Sequence, residues 1–217
     1  MSLKKKRTNT QKKSPPGSQE VLEGYRHLLS QKDYEQLKAE MMKPLPTAMR
    51  SNLLRHQAEG FTEQLKKWYG WQFTPLPFCP SGWQVEANQP PPSRTIEHRM
   101  GDFYIQEAAS MLPVELFDFP QGGRPLMLDM AASPGGKTIH LADLSQDCGL
   151  IIANDASRAR LPALQVVLRK WGVINQAITA LPGELFAQVA RERFDLVLLD
   201  APCSMEGLRS NASHPMR

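Results

Sequence analysis

Asp200, Pro202 and Cys203 close the segment FDLVLLDAPCS (194–204), and Lys137 follows a Pro134-Gly135-Gly136 turn in LMLDMAASPGGKT (126–138). A carboxylate, an amine and a thiol gathered at strand ends suit group transfer by cysteine chemistry. Carbon 5 of a pyrimidine is not nucleophilic until a thiolate adds to carbon 6 and makes it enamine-like. An acid near the ring N3 stabilises that adduct, and Asp200 is the residue placed to supply it. Methylases of exocyclic amines tend to carry Pro-Pro-aromatic at this position, and no aromatic follows Pro202 here. The alternative for Cys203 is a buried structural thiol.

The glycine turn has two readings. AASPGGKT approaches the phosphate loop GxxxxGK[ST], with Gly136, Lys137 and Thr138 in place and Asp200 as the acid that would hold magnesium. Against it, Ala131 stands where the leading glycine belongs, and Pro134 removes one N–H from a loop that binds through N–H groups. The other reading is a site for S-adenosyl-L-methionine, which carries no phosphate and needs backbone room plus a carboxylate for its ribose hydroxyls. Asp155, just past the next strand, is where a ribose-binding acid falls in a doubly wound sheet. Its plainer role would be to cap the following helix.

These residues need a sheet to position them. Apolar runs predict strands over 126–129, 150–154, 176–179 and 196–200, alternating with helices over 137–145, 159–171 and 184–193. That alternation with short turns predicts an α/β fold with a doubly wound parallel sheet. Asp129, Asp155 and Asp200 then fall at the carboxyl rim, where such sheets bind ligands. The strand over 196–200 would be left with an apolar edge, so the chain is expected to be the front part of a longer enzyme or a truncated relative of one.

Upstream, residues 1–17 read as a disordered basic arm, and 18–115 as a small α+β subdomain before the sheet domain at 116–217. Helical spacing of apolar residues covers 18–43, with Ser30 and Asp33 as caps between two short helices. A strand follows over 48–53, then a helix over 55–69 ended by Gly70. Residues 71–93, rich in Pro and Trp, read as irregular chain and linker.

The whole chain has 217 residues and a net charge of +4, but the first 13 carry six lysines and arginines and no acid. The body is therefore slightly acidic. Such an arm attracts phosphate without regard to sequence, or simply solubilises. No run of about 18 apolar residues is present to cross a membrane, and no apolar segment follows the charged N-terminus as a secretory signal requires. Three scattered cysteines predict neither a disulfide framework nor a metal site, and a reducing cytoplasm is the expected location.

Five segments, in order, resemble the Nop/Sun RNA cytosine-5 methyltransferases: MRSNLL (49–54), GDFYIQEAAS (101–110), DMAASPGGKT (129–138), NDAS (154–157) and LLDAPCSMEG (198–207). The resemblance implies a Rossmann-like, S-adenosylmethionine-dependent methyltransferase sheet behind an RNA-binding subdomain, acting on ribosomal RNA. It implies that Asp129 and the turn Ala131, Ala132, Ser133, Pro134, Gly135, Gly136 and Lys137 wrap the methionine end of the cofactor. Asp155 would bind its ribose, with Asp200 beside both cofactor and target base and Lys137 nearby. Arg50, Asn52, Tyr104 and Gln106 would frame an RNA-facing side. In family members the attacking thiolate comes from a Thr-Cys element after a fifth strand, and the thiol matching Cys203 assists product release; that element would lie beyond Arg217. Pro182 stands where the family usually has an acid on the adenine side. The remaining readings are a noncatalytic RNA- or cofactor-binding remnant, a phosphate-loop nucleotide binder, and direct attack by Cys203.

Overall fold

Ser30 starts the first well-formed helix. Its Oγ accepts the Asp33 N–H at 3.2 Å and donates to the Asp33 carboxylate at 2.7 Å, satisfying a donor that a helix start leaves free. The computed structural model describes residues 23–24, 26–41, 45–87, 89–119 and 122–201. Contacts divide the chain into two units, 1–45 with 202–217, and 46–201. In the first, a 3-10 turn (Arg26–Leu28) precedes helix α1 (Gln31–Met41). The basic arm expected over 1–17, and the chain from Pro202 onward with Cys203, lie outside the described residues.

The second unit opens with an antiparallel sheet. Strand β1 (Ala48–Ser51) is followed by α2 (Ala58–Tyr69), β2 (Gln72–Leu76), β3 (Cys79–Glu86), α3 (Ile96–Met100), β4 (Phe103–Ile105) and α4 (Leu112–Glu115), with strand order β2-β3-β1-β4. Helix α2 buries Phe61 and Leu65, and these pack with Met49, Trp71, Val85 and Phe103 into one core. Residues 71–93 are thus largely a hairpin rather than the irregular stretch expected. Prolines hid it: Pro75 lies on the edge strand β2, and Pro80 precedes the point where β3 begins pairing with β1 at Gly82, both places where a missing N–H is tolerated.

The parallel sheet follows the expected alternation. Strands β5 (Leu126–Asp129), β6 (Leu150–Asn154), β7 (Gln176–Thr179) and β8 (Leu196–Leu198) alternate with α5 (Gly136–Leu144), α6 (Leu161–Trp171) and the short α7 (Phe186–Val189). All pairings are parallel and the order is β7-β6-β5-β8. The last helix is shorter than the expected 184–193, beginning as a 3-10 turn at Gly183–Leu185. Pro162 sits in the first turn of α6, where its missing N–H costs nothing. Chain order reverses between β5 and β8, which opens a crevice at their carboxyl ends.

The two sheets lie in one unit. Buried polar side chains of the β1 segment join them. Arg50 forms a fully buried ion pair with Asp143 of α5 and donates to Gly136 O at 3.3 Å. Asn52 Nδ2 donates to Gly101 O at 2.8 Å and Trp171 O at 2.9 Å, while its Oδ1 accepts the Leu54 N–H. The more exposed Arg55 adds a bond to Lys170 O at 2.8 Å. These contacts correct the expectation that Arg50 and Asn52 face RNA: both are buried against partners within the protein. No helix among the described residues is long and apolar enough to cross a membrane.

Candidate functional site

Three carboxylates stand at or just past the ends of three neighbouring parallel strands: Asp129 closes β5, Asp155 follows β6 and Asp200 follows β8. The register puts Asp129 opposite Ala153 on one side and Leu198 on the other, so all three reach the same rim. The turn 130–135 crosses between them. It is pinned by backbone bonds from Met130 N to Leu198 O at 2.9 Å and from Ala132 N to Asn154 O at 2.7 Å.

Asp129 is buried and accepts the Thr138 hydroxyl at 2.7 Å. Its Oδ1 has no hydrogen-bond partner of good geometry. Burial pushes its carboxyl up to about 6, opposed by the Thr138 hydroxyl, the Ala131 N–H and the Lys137 charge. Lys137, in the first turn of α5, bonds Asp200 at 2.7 Å. Asp200 is half exposed and Lys137 mostly covered, so the carboxylate is held at the mouth of the crevice and presented outward.

Asp155 is buried and organises the other flank. Its oxygens accept the N–H groups of Ser133 at 3.3 Å and Ser157 at 2.9 Å, and Arg160 pairs with it at 3.3 Å. Arg160 also donates to Ser133 O, and its own carbonyl accepts the Ser133 hydroxyl. Asp155 therefore bonds the turn itself as well as the start of the next helical segment. Tyr104 packs against the other side of the turn: a Cβ on Gly136 would lie 2.9 Å from Tyr104 Cε1 and 3.5 Å from Gln106 Cδ. Only glycine lets the β4 segment approach the helix start this closely.

Two family models match in series: the N-terminal domain of 16S rRNA methyltransferase RsmF over residues 18–108, and 16S rRNA methyltransferase RsmB/F over 120–214. The chain belongs to the RsmB/F family. The membership expected from the five motifs therefore holds. The chain is 41% identical over 174 residues to ribosomal RNA small subunit methyltransferase F of Cronobacter sakazakii, covering 78% of this chain and 36% of that one. It is 39% identical over 171 residues to the Vibrio campbellii protein of the same name, again 78% and 36%. The chain thus spans little more than a third of these relatives' length.

Among solved structures, a methyltransferase homolog from Pyrococcus horikoshii is 31% identical with a TM-score of 0.71, over 85% of this chain and 63% of that one. NSun6 from the same organism, solved with SFG, has a TM-score of 0.73 at 20% identity, over 85% and 70%, a likeness of fold. The expected Rossmann-like methyltransferase fold is thereby shown.

Within this RsmB/F fold the structure brings together Asp129, residues 131–137, Asp155 and Asp200. Tyr104 and Gln106, expected to face RNA, lie partly buried against the turn; Gln106 donates to Ser110 O at 3.1 Å, and its Oε1 is buried without a partner. Pro182 presents no carboxylate. The tip of β7 is held instead by Asn154, whose Oδ1 accepts Thr179 Oγ1–H at 2.8 Å and Leu181 N–H at 2.9 Å. The sequence named Thr138 only within the phosphate-loop reading and Asn154 only within NDAS, and it did not single out Arg160. Thr138 was legible in the GKT run, and Arg160 in its spacing five residues after Asp155.

Proposed function

We propose that the chain carries the S-adenosyl-L-methionine site and the base-contacting acid of an RNA cytosine-5 methyltransferase that acts on ribosomal RNA. The observation that carries this reading is the rim of Asp129, Asp155 and Asp200 around the turn 130–135, with Lys137 bridging to Asp200.

The residues present fit the cofactor. Asp129 Oδ1 is a buried acceptor with no hydrogen bond of good geometry, the Ala131 N–H being the backbone donor near the carboxylate, and so is suited to the ammonium of a methionine moiety. Asp155 Oδ2 takes the Ser133 N–H and the Arg160 pair, whereas Oδ1 accepts one N–H and keeps a lone pair for a ribose hydroxyl. When bound, the cofactor supplies an electrophilic methyl group. Lys137 holds Asp200 so that its carboxyl group points into solvent at the crevice, where the carboxylate can accept the exocyclic amino N–H of a cytosine and the protonated acid can donate to N3. Arg160 and Ser133 fix the turn so that the site is formed before ligand arrives. In the mechanism that the resemblance implies, the thiol matching Cys203 assists product release and a Thr-Cys element after a fifth strand supplies the attacking thiolate.

The phosphate-loop reading is weaker. It needs Lys137 for phosphates, whereas Lys137 is engaged by Asp200, and both family models name methyltransferases. Calorimetric titration of the full chain separates these readings. The expected result is saturable binding of S-adenosyl-L-methionine that Asp155→Ala weakens at least tenfold, with no competition from ATP and magnesium. Binding of ATP with magnesium in place of S-adenosyl-L-methionine would overturn the proposal. Weak cofactor binding with salt-sensitive RNA binding and no methyl transfer would favour the noncatalytic remnant.

A further inference from the structure

Cys79 of β3, Glu115 at the end of α4 and His140 of α5 meet far from one another in sequence, and their ligand atoms all lie within 4.8 Å. His140 Nε2 is 2.9 Å from Glu115 Oε1 and 4.0 Å from Cys79 Sγ. We propose that these three side chains form a site for a borderline-soft divalent cation, with zinc as the cation that fits best. This site is separate from the turn 130–135 and is independent of the proposed methyl transfer.

Geometry is the first argument. Zinc bonds of about 2.3 Å to sulfur and about 2.0–2.2 Å to nitrogen and oxygen place tetrahedral ligands roughly 3.3–3.6 Å apart. The nitrogen–oxygen separation would open by a few tenths of an ångström from 2.9 Å, and the sulfur–nitrogen one would close from 4.0 Å by a similar amount. Three protein ligands leave a fourth position for water. Glu115 is the most exposed of the three, at 13%, and gives the cation its path in.

Burial and weak competition are the second argument. Cys79 and His140 are both fully buried. Cys79 Sγ meets only weak partners, Ser81 Oγ at 3.7 Å, His140 Nε2 at 4.0 Å and the Glu115 carboxylate, so a cation displaces no strong bond at the sulfur. The imidazole binds in its neutral form, and Cys79 releases its proton to solvent when the sulfur–metal bond forms. A thiolate and a carboxylate neutralise one divalent cation. The nearby Arg50 charge, which would oppose it, is paired with Asp143.

The softness of the donor set decides the metal. A thiolate and an imidazole disfavour magnesium and calcium, which take oxygen ligands. A bound cation would tie the antiparallel sheet, the connecting helix α4 and the helix carrying Lys137 together at one point.

Cobalt(II) titration of the chelator-treated full chain tests the site, followed by elemental analysis after zinc loading and desalting. The expected result is one cobalt per chain with a thiolate-to-cobalt charge-transfer band in the near ultraviolet, and displacement by zinc. Cys79→Ser abolishes the band, His140→Gln weakens binding at least tenfold, and Cys148→Ser and Cys203→Ser leave it intact. Circular dichroism on each variant confirms folding, and Glu115→Gln, on a partly exposed position, serves if Cys79→Ser fails to fold. No band with the folded parent chain, or a band that survives Cys79→Ser, overturns the proposal and leaves the cluster as a hydrogen-bonded packing contact.

Discussion

Lys137 Nζ lies 2.7 Å from Asp200 Oδ2, joining the first turn of α5 to the tip of β8 across the point where strand order reverses. Because Asp200 is 55% exposed, the pair adds little to folding; such pairs are worth about 0–1 kcal/mol. Asp200→Asn is therefore expected to shift the melting temperature by less than about 4 °C. Under the proposed function it reduces methyl transfer by at least about 100-fold in a protein containing the downstream cysteine. Melting and transfer assays on the same variant measure both. A large loss of stability would make the pair structural instead.

The buried Arg50–Asp143 pair behaves in the opposite way. Asp143 also accepts Trp171 Nε1–H at 2.9 Å, and the Arg50 guanidinium lies 5.1 Å from the Trp171 ring centroid. Arg50→Met leaves Asp143 charged and buried, which costs about 3–5 kcal/mol. Arg50→Met with Asp143→Leu should recover a substantial part of that loss, because no uncompensated charge remains. Urea unfolding of the parent and both variants checks this; equal losses in the single and double variants would exclude the charge explanation.

The parallel half was legible because each apolar run had one outcome. Runs such as 126–129 and 150–154, bounded by turns and helical periods, can form only buried strands, and the rim acids follow from their ends. The antiparallel half was less legible. Prolines at 75 and 80 disguise a hairpin whose edge position tolerates them, and edge position is a property of the assembled sheet. Arg50 and Asn52 were assigned to an RNA-facing side by the resemblance alone, and a lone polar side chain gives no sign of burial to oppose it. Their partners, Asp143 and the Trp171 carbonyl, lie 93 and 119 residues away. The Cys79–Glu115–His140 cluster was hidden for the same reason: no short spacing announces ligands contributed by three separate elements.

Gly101 follows α3 at φ +85°, and a Cβ there would lie 2.4 Å from the Lys170 carbonyl oxygen. Both backbone conformation and space exclude a side chain, and the obstacle is backbone at the end of α6. Gly101→Ala should cost at least about 2 kcal/mol, combining left-handed strain with displacement of the β4 segment from α6. Because Asn52 bonds the Gly101 carbonyl, the Asn52→Ala penalty should be smaller in the Gly101→Ala background than in the parent. A denaturation double-mutant cycle measures this coupling; additive penalties would mean that the two contacts act separately.

Asp129 gives the folded protein a pH dependence of defined sign. Burial raises its carboxyl from an ordinary value near 4 to about 6, so between those values the folded state holds a proton that the unfolded state has released. Its stabilising contribution is fully present below about pH 4 and is lost as pH rises through about 6, a change of roughly 3 kcal/mol. Asp129→Asn removes that titration, so the variant should gain stability relative to the parent as pH rises from 4 to 7. Asp143, also raised to about 6 by burial against the opposing pull of Arg50, keeps titrating in both proteins and leaves a residual slope of the same sign. Urea unfolding of parent and variant at half-unit pH intervals measures the difference directly. A difference that stays constant across this window would place Asp129 in the ordinary carboxylate range, and its unpartnered oxygen would then need another donor in the folded protein.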